Sequence, residues 1–268
     1  MKKGLILMLL LAITFSGCSL QKPIQSVKTI TSSQPADDST NINSTKNDPY
    51  WIKAYYDYIS QNNFNPEAKL IDLDFDGTPE LLNCQYADGS QYYNIGASYK
   101  NGEVISFYVG EVSDFVGTYI KNDGSKLWYT RSFPFSLHRW SNTCMIFSSH
   151  NYSSLTDIIE DKLIEINFND SSDDTNYSKL QVSISKGDED VKLTSGEYSL
   201  YKNWYANADN RADTLIALPY IKELESNLNV TPQKQVEIDF SKYCTDINKL
   251  KYEDFRKEML KWHPGNLN

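Results

Sequence analysis

Histidine is scarce in this sequence. The three residues are His138, His150 and His263, and none stands in H-E-x-x-H or another metal-ligand spacing. Cysteine is little commoner, at four. Cys18 closes an apolar leader. Cys84, Cys144 and Cys244 are an odd set at wide spacings, so at most one bridge can form and a disulfide framework is excluded. The expectation for all three is small, buried core residues. The sequence has no G-x-S-x-G elbow and no glycine-rich phosphate cradle. A Cys–His couple of Cys144 with His150, or of Cys84 with His138, would need the fold to join them. Core cysteines and surface histidines are the simpler expectation. Positive charge is also short: 26 basic residues face 35 acidic ones, for a net charge of −9. Nucleic acid needs a basic footprint, as does an electrostatic grip on anionic lipid, so neither is expected as a partner.

Apolar residues are not lacking. At 40% hydrophobic, the chain can bury a real core. Its 19 Tyr and 5 Trp suit a β-rich protein outside the cytoplasm, because Tyr packs well on a half-buried sheet face, and equally an aromatic-rich binding surface. Long apolar runs are absent except at the start. There Lys2 and Lys3 precede Leu5 to Phe15, which is too short for an ordinary membrane span. Ser16, Gly17 and Cys18 follow. This arrangement resembles the lipobox of bacterial lipoproteins, with Phe15 where Leu is usual. The resemblance implies a signal peptide over 1–17, cleavage before Cys18, and lipid on Cys18. The chain would then be anchored by acyl chains to the outer face of the cell membrane, each buried CH₂ adding roughly 0.8 kcal/mol. Residues 18–47 hold this cysteine and a Ser-, Thr-, Asn- and Gln-rich stretch without sustained periodicity, expected as a disordered tether spanning about 30 Å.

Residues 48–268 read as one α+β domain: an N-terminal helix, an antiparallel β-meander of about eight to ten strands, then C-terminal helices. Asp48-Pro49 is a helix-start signal, with the acid as N-cap. Trp51, Ala54, Tyr55 and Tyr58 then repeat at helical spacing, a core face. Strands are expected at 80–86, 92–99, 104–109, 115–120, 127–131, 136–140, 144–148, 157–159, 163–168 and 180–185. Asn101-Gly102, Asn122 to Gly124 and Glu160 to Lys162 supply turns. Lys186 to Lys192 (KGDEDVK) reads as a charged hairpin turn or loop. Ser132 to Trp140 (SFPFSLHRW) reads as core plus loop, with a ligand-lining face as its alternative. Thr194 and Glu197 form a capping box ahead of Tyr198, Tyr201, Trp204 and Tyr205. Thr214 to Leu228 and Lys251 to Trp262 are the last helices, the second stopped by His263-Pro264-Gly265.

The sharpest chemistry lies in IDLDFDGTPELL, Ile71 to Leu82. Asp72, Asp74 and Asp76 alternate, Gly77 permits a sharp reversal, Thr78 can offer its carbonyl, and Glu80 adds a fourth carboxylate. Pro79 presses Thr78 toward an extended strand entry. Calcium wants six to eight hard oxygens, and such a run supplies them. Without a cation, four carboxylates so close would repel. The pattern D-x-D-x-D-G-x-x-E resembles the calcium loops of EF-hands, dockerins and integrin-type propellers. Asn83 stands where an EF-hand has its bidentate Glu, and an acid at the ninth position fits the strand-flanked propeller loop better. One copy does not make a propeller. The order of lipobox, polar tether, aromatic helix, single acidic loop, hairpins and capped Tyr helix also resembles lipoproteins of Gram-positive gut bacteria, a likeness that implies no activity. The expectation is a surface-anchored, calcium-stabilised module that binds a protein or glycan and is not an enzyme. The alternative is a hydrolase of envelope glycan or peptide with an unmarked site. An accessory part of an envelope complex is a third reading.

Overall fold

A computed structural model describes residues 29–30, 48–87, 90–132, 143–169, 178–206 and 218–262. They form an α+β protein with two antiparallel sheets and four α-helices among the described residues. Helix α1 (Tyr50–Gln61) opens the domain. The first sheet runs β1-β5-β4-β3-β2-β12 and comprises β1 (Thr29–Ile30), β2 (Glu67–Ile71), β3 (Glu80–Ala87), β4 (Ser90–Lys100), β5 (Glu103–Val112) and β12 (Gln235–Asp239). The second runs β11-β10-β9-β8-β7-β6 and comprises β6 (Asp114–Ile120), β7 (Lys126–Ser132), β8 (Thr143–Asn151), β9 (Ile159–Asn169), β10 (Gln181–Lys186) and β11 (Glu189–Val191). Helices α2 (Ser195–Ala206), α3 (Pro219–Leu228) and α4 (Tyr252–Met259) complete the chain, with a 3-10 turn at Ile247–Lys249 before α4.

Three apolar clusters hold these layers. In the first, Trp51, Tyr55 and Tyr58 of α1 pack with Phe255 and Met259 of α4 on one face of the first sheet. In the second, Tyr201, Trp204 and Tyr205 of α2 and Ile221 of α3 pack on the second sheet. The third joins the sheets: Ile71, Leu82, Cys84, Tyr93 and Val109 from the first meet Phe115, Trp128 and Tyr152 from the second. The aromatic stripe of α1 is therefore core, as its spacing predicts.

Local chemistry decides most boundaries. Asn101 and Gly102 both take positive φ, 53° and 90°, the geometry of the tight two-residue turn between β4 and β5. The Thr194–Glu197 capping box forms: the Thr194 N–H and hydroxyl donate to Glu197 Oε2 at 2.8 and 2.7 Å, and the Glu197 N–H donates to Thr194 Oγ1 at 3.2 Å. Gly117 sits where β6 meets the segment leading to β12. Thr118 and Thr231 exchange backbone bonds there, and a Cβ on Gly117 would stand 2.5 Å from the Thr231 carbonyl oxygen. Gly117→Ala should cost about 1–3 kcal/mol by this overpacking, read as a lower denaturation midpoint at unchanged slope.

Several expectations need correction. Asp48 caps nothing: the N-cap is Pro49, and the Asp48 carboxylate instead accepts from Arg256 of α4, Nη2 lying at 2.8 Å. Residues 157–159 and 163–168 do not flank a turn, because 159–169 is one strand. Its charged start is tolerated along an exposed rim, where Glu160 accepts from the Ser148 hydroxyl at 2.7 Å and Lys162 pairs with Glu165 at 2.8 Å. The register slip at Phe147/Ser148 absorbs the extra residue. Helix α3 begins at Pro219, since the residue before a proline, Leu218, is held extended; 214–217 lie outside the described residues. Strands β2 and β12 were not expected; β12 returns to pair with β2. The tether is not wholly without structure, since Thr29 and Ile30 pair with Ile105 and Val104 of β5. The expected strand 136–140, most of SFPFSLHRW and the His263 stop lie outside the described residues.

Candidate metal centre

Ile71 pairs with Glu80 across the β2–β3 ladder, so Asp72 to Pro79 is a strand–loop–strand turn. Two residues enter it left-handed: Gly77 at φ 89°, which glycine allows freely, and Phe75 at φ 64°, which a bulky side chain resists. Packing holds Phe75 there. Its ring stacks on Trp128 of β7 at 5.9 Å and 7°, and Lys126 Nζ lies 3.8 Å from its centroid. The Trp128 indole N–H also donates to the Leu73 carbonyl at 2.9 Å. At the far end of the loop, the Tyr55 hydroxyl donates to the Pro79 carbonyl at 2.8 Å and accepts from the Tyr99 N–H. The loop is thus pinned to the second sheet on one side and to α1 on the other.

The carboxylates turn inward on this frame. Asp72 accepts from the Gly77 N–H at 3.0 Å, and Asp76 from the Thr78 N–H at 2.8 Å. Glu80 is fully buried, accepting from the Leu73 N–H at 2.7 Å and the Ser98 hydroxyl at 2.9 Å. Asp72, Asp74 and Glu80 each offer an oxygen, and these oxygens lie within 4.8 Å of one another. The remaining oxygen of Asp72, Oδ1, is buried without a hydrogen-bond partner. Of the five residues expected from sequence, the fold converges these three. Asp76 and Thr78 stand outside the trio. Asp76 also pairs with Lys100 at the end of β4, and Lys100 reaches Asp74 as well. Sequence reasoning missed Lys100, although the Asn101-Gly102 turn places it at this end of the sheet, two residues beyond Ser98.

Electrostatics follow from the geometry. Burial, with the Asp74 charge second, pushes Glu80 up to about 8, against the pull of the Leu73 N–H and the Ser98 hydroxyl. Burial also raises Asp72, helped by Asp74 and Asp76 and opposed by the Gly77 N–H. Burial opposes the charge on Lys100, but Asp74 and Asp76 outweigh it and raise that group. The trio is an oxygen-only donor set with no nitrogen or sulfur, the chemistry of a hard cation such as calcium or magnesium. The unpartnered Asp72 Oδ1 and the crowded carboxylates fit such an ion.

The other candidate groups do not converge. Cys144 and His150 lie on one extended strand, six positions and roughly 20 Å apart. The Cys144 thiol faces Glu165 at 3.6 Å. His150 is buried rather than on the surface, its Nδ1 3.0 Å from the Thr130 hydroxyl and its ring stacked on Tyr152. Cys84 and Cys144 are buried, Cys244 is half-buried, and no disulfide joins them. His138 lies outside the described residues. No helix among the described residues is long and apolar enough to cross a membrane. No protein family matches this chain, and no curated protein or solved structure does so either.

Proposed function

We propose that the chain is a lipid-anchored surface protein whose folded part is a calcium-stabilised, non-enzymatic binding module. In this reading Cys18 carries the lipid, Asp72, Asp74 and Glu80 hold the ion, and Asp76 and the Thr78 carbonyl join once Lys100 withdraws. The observation that carries it is the convergence of three carboxylates, one wholly buried, on a turn pinned to both sheets and to α1. An ion there would neutralise charge that burial makes costly and would be structural. The test is thermal unfolding of the chain with EDTA and with rising calcium. Calcium at about 100 times its Kd should stabilise the native state by about 2.7 kcal/mol, and Asp74→Ala should abolish the rise. A melting temperature that ignores both calcium and EDTA would reduce the loop to a Lys100-neutralised turn.

The hydrolase reading has one observation on its side. Glu67, Glu237 and Asp239 line a groove of about 400 Å³ along β2 and β12. Glu67 and Asp239 are register partners, so their Cα atoms stand about 4.5–5.5 Å apart. Glycoside hydrolysis needs one of its two carboxylates held protonated. Here the Ser241 hydroxyl and N–H hold Asp239 below the usual carboxylate range. Glu237 is already engaged, paired with Lys69 at 3.0 Å and accepting from the Tyr93 hydroxyl at 3.1 Å. Binding is therefore the preferred reading.

A further inference from the structure

Lys100 already sits where the ion would draw its ligands. It is the last residue of β4, and its ammonium lies between Asp74 and Asp76, 2.5 Å from Asp76 Oδ2. The Asp74 side chain is only 8% exposed. Ser98, on the same face of β4 two residues back, donates to the buried Glu80. The strand thus delivers a cation to the same carboxylates that sequence assigns to calcium. Among the described residues, no other basic side chain pairs with them.

A second acceptor for this lysine stands across the turn. Lys100 is the register partner of Glu103, the first residue of β5. Register partners project from the same face, with Cα atoms about 4.5–5.5 Å apart. The ammonium can therefore reach the Glu103 carboxylate by side-chain rotation alone, with the Asn101-Gly102 turn unmoved. Glu103 is half-buried and holds no ion pair among the described residues.

We infer that Lys100 is a tethered competitor of the ion with two seats: between Asp74 and Asp76 when the loop is empty, and against Glu103 when calcium is bound. The inference rests on the calcium reading of the loop and names how that site is regulated. In the empty loop the ammonium stands in for the missing cation and limits repulsion among the carboxylates. Calcium must break both of its contacts to take Asp76 and the whole of Asp74. A competitor held on the same chain acts at a fixed effective concentration. Lys100 therefore raises the calcium level at which the loop fills, and Glu103 lowers it again by receiving the displaced charge.

The experiment is calorimetric titration of the full chain with calcium chloride, with melting temperatures taken in EDTA. Lys100→Met should bind calcium about five- to thirtyfold more tightly than the parent. In EDTA it should melt roughly 2–8 °C lower, because the empty loop has lost its stand-in charge. A lysine that merely props the loop would weaken both. Glu103→Gln should weaken calcium binding about two- to fivefold in the parent. It should lose that effect when combined with Lys100→Met, since the second seat serves only the lysine. Lys100→Met binding calcium no more tightly than the parent overturns the inference, as does a Glu103→Gln effect that persists without the lysine. In both of those outcomes the parent still binds calcium, and the metal reading stands. Calcium binding by neither the parent nor Lys100→Met removes the metal reading, and this inference with it.

Discussion

Trp128→Ala is expected to lower stability by about 3–5 kcal/mol, the range for truncating a large buried aromatic. Trp128 is 1% exposed. Its ring stacks on Phe75 of the acidic loop and meets Phe115 edge-on at 5.8 Å, while its indole N–H holds the Leu73 carbonyl. The substitution therefore removes core volume, orphans a buried carbonyl and frees the left-handed Phe75 from its support. A chain of this length should lose about 2–4 °C of melting temperature per kcal/mol, so a fall of roughly 6–20 °C is expected by calorimetry. Trp128→Phe should recover part of the packing but not the Leu73 bond. A loss below about 1 kcal/mol would mean that the cluster between the sheets adds little to folding.

Glu80→Gln should act in opposite directions with and without calcium. The folded pKa of Glu80 stands at about 8, above its ordinary 4.5. The native chain thus holds a proton that the unfolded chain releases between those values. Stability from this group is fully present below about pH 4.5 and is lost as pH rises through about 8. Glutamine keeps an acceptor for the Leu73 N–H and carries no charge, so in EDTA at pH 8 the variant should be at least as stable as the parent, with a flatter pH dependence above pH 4.5. In calcium the order should reverse, because the buried ligand oxygen has lost its charge. The pair of melting curves, one in EDTA and one in calcium, reads this directly. A Glu80→Gln chain with an undiminished calcium response would remove Glu80 from the ligand set.

How much of this was legible beforehand depends on range. Signals settled within a few residues were readable: the Asn101-Gly102 turn, the Thr194–Glu197 box, the stripe of α1, and an acidic loop feeding the strand that starts at Glu80. Signals settled by distant partners were not. Asp48 looks like a cap until Arg256, far along the chain, takes its carboxylate. Glu160 to Lys162 looks like a turn until Ser148 and Glu165 give its polar groups a ladder to lie on. Strand β12 is an exception: Gln235 to Asp239 alternates polar and apolar residues, a local strand signal that was passed over, and its partner β2 lies far back in the chain. At the candidate metal centre, the alternation of Asp72, Asp74 and Asp76 marked the loop but could not rank its oxygens. Burial did that, drawing in Glu80 and turning Asp76 toward Lys100.

The two-residue strand β1 has a consequence for how the domain would stand at the cell surface. Thr29 and Ile30 are stitched to the outer edge of the first sheet at Ile105 and Val104. If Cys18 carries acyl chains, the leash from lipid to fold ends at Thr29 rather than at Asp48. Fully stretched, that stretch reaches roughly 35–40 Å, against about 100 Å for the whole stretch to Asp48. The β5 edge would then be the part of the protein moored nearest the bilayer. Unpicking two backbone pairs would let the domain rise by more than its own radius, so a contact this small could set how far from the membrane the module searches.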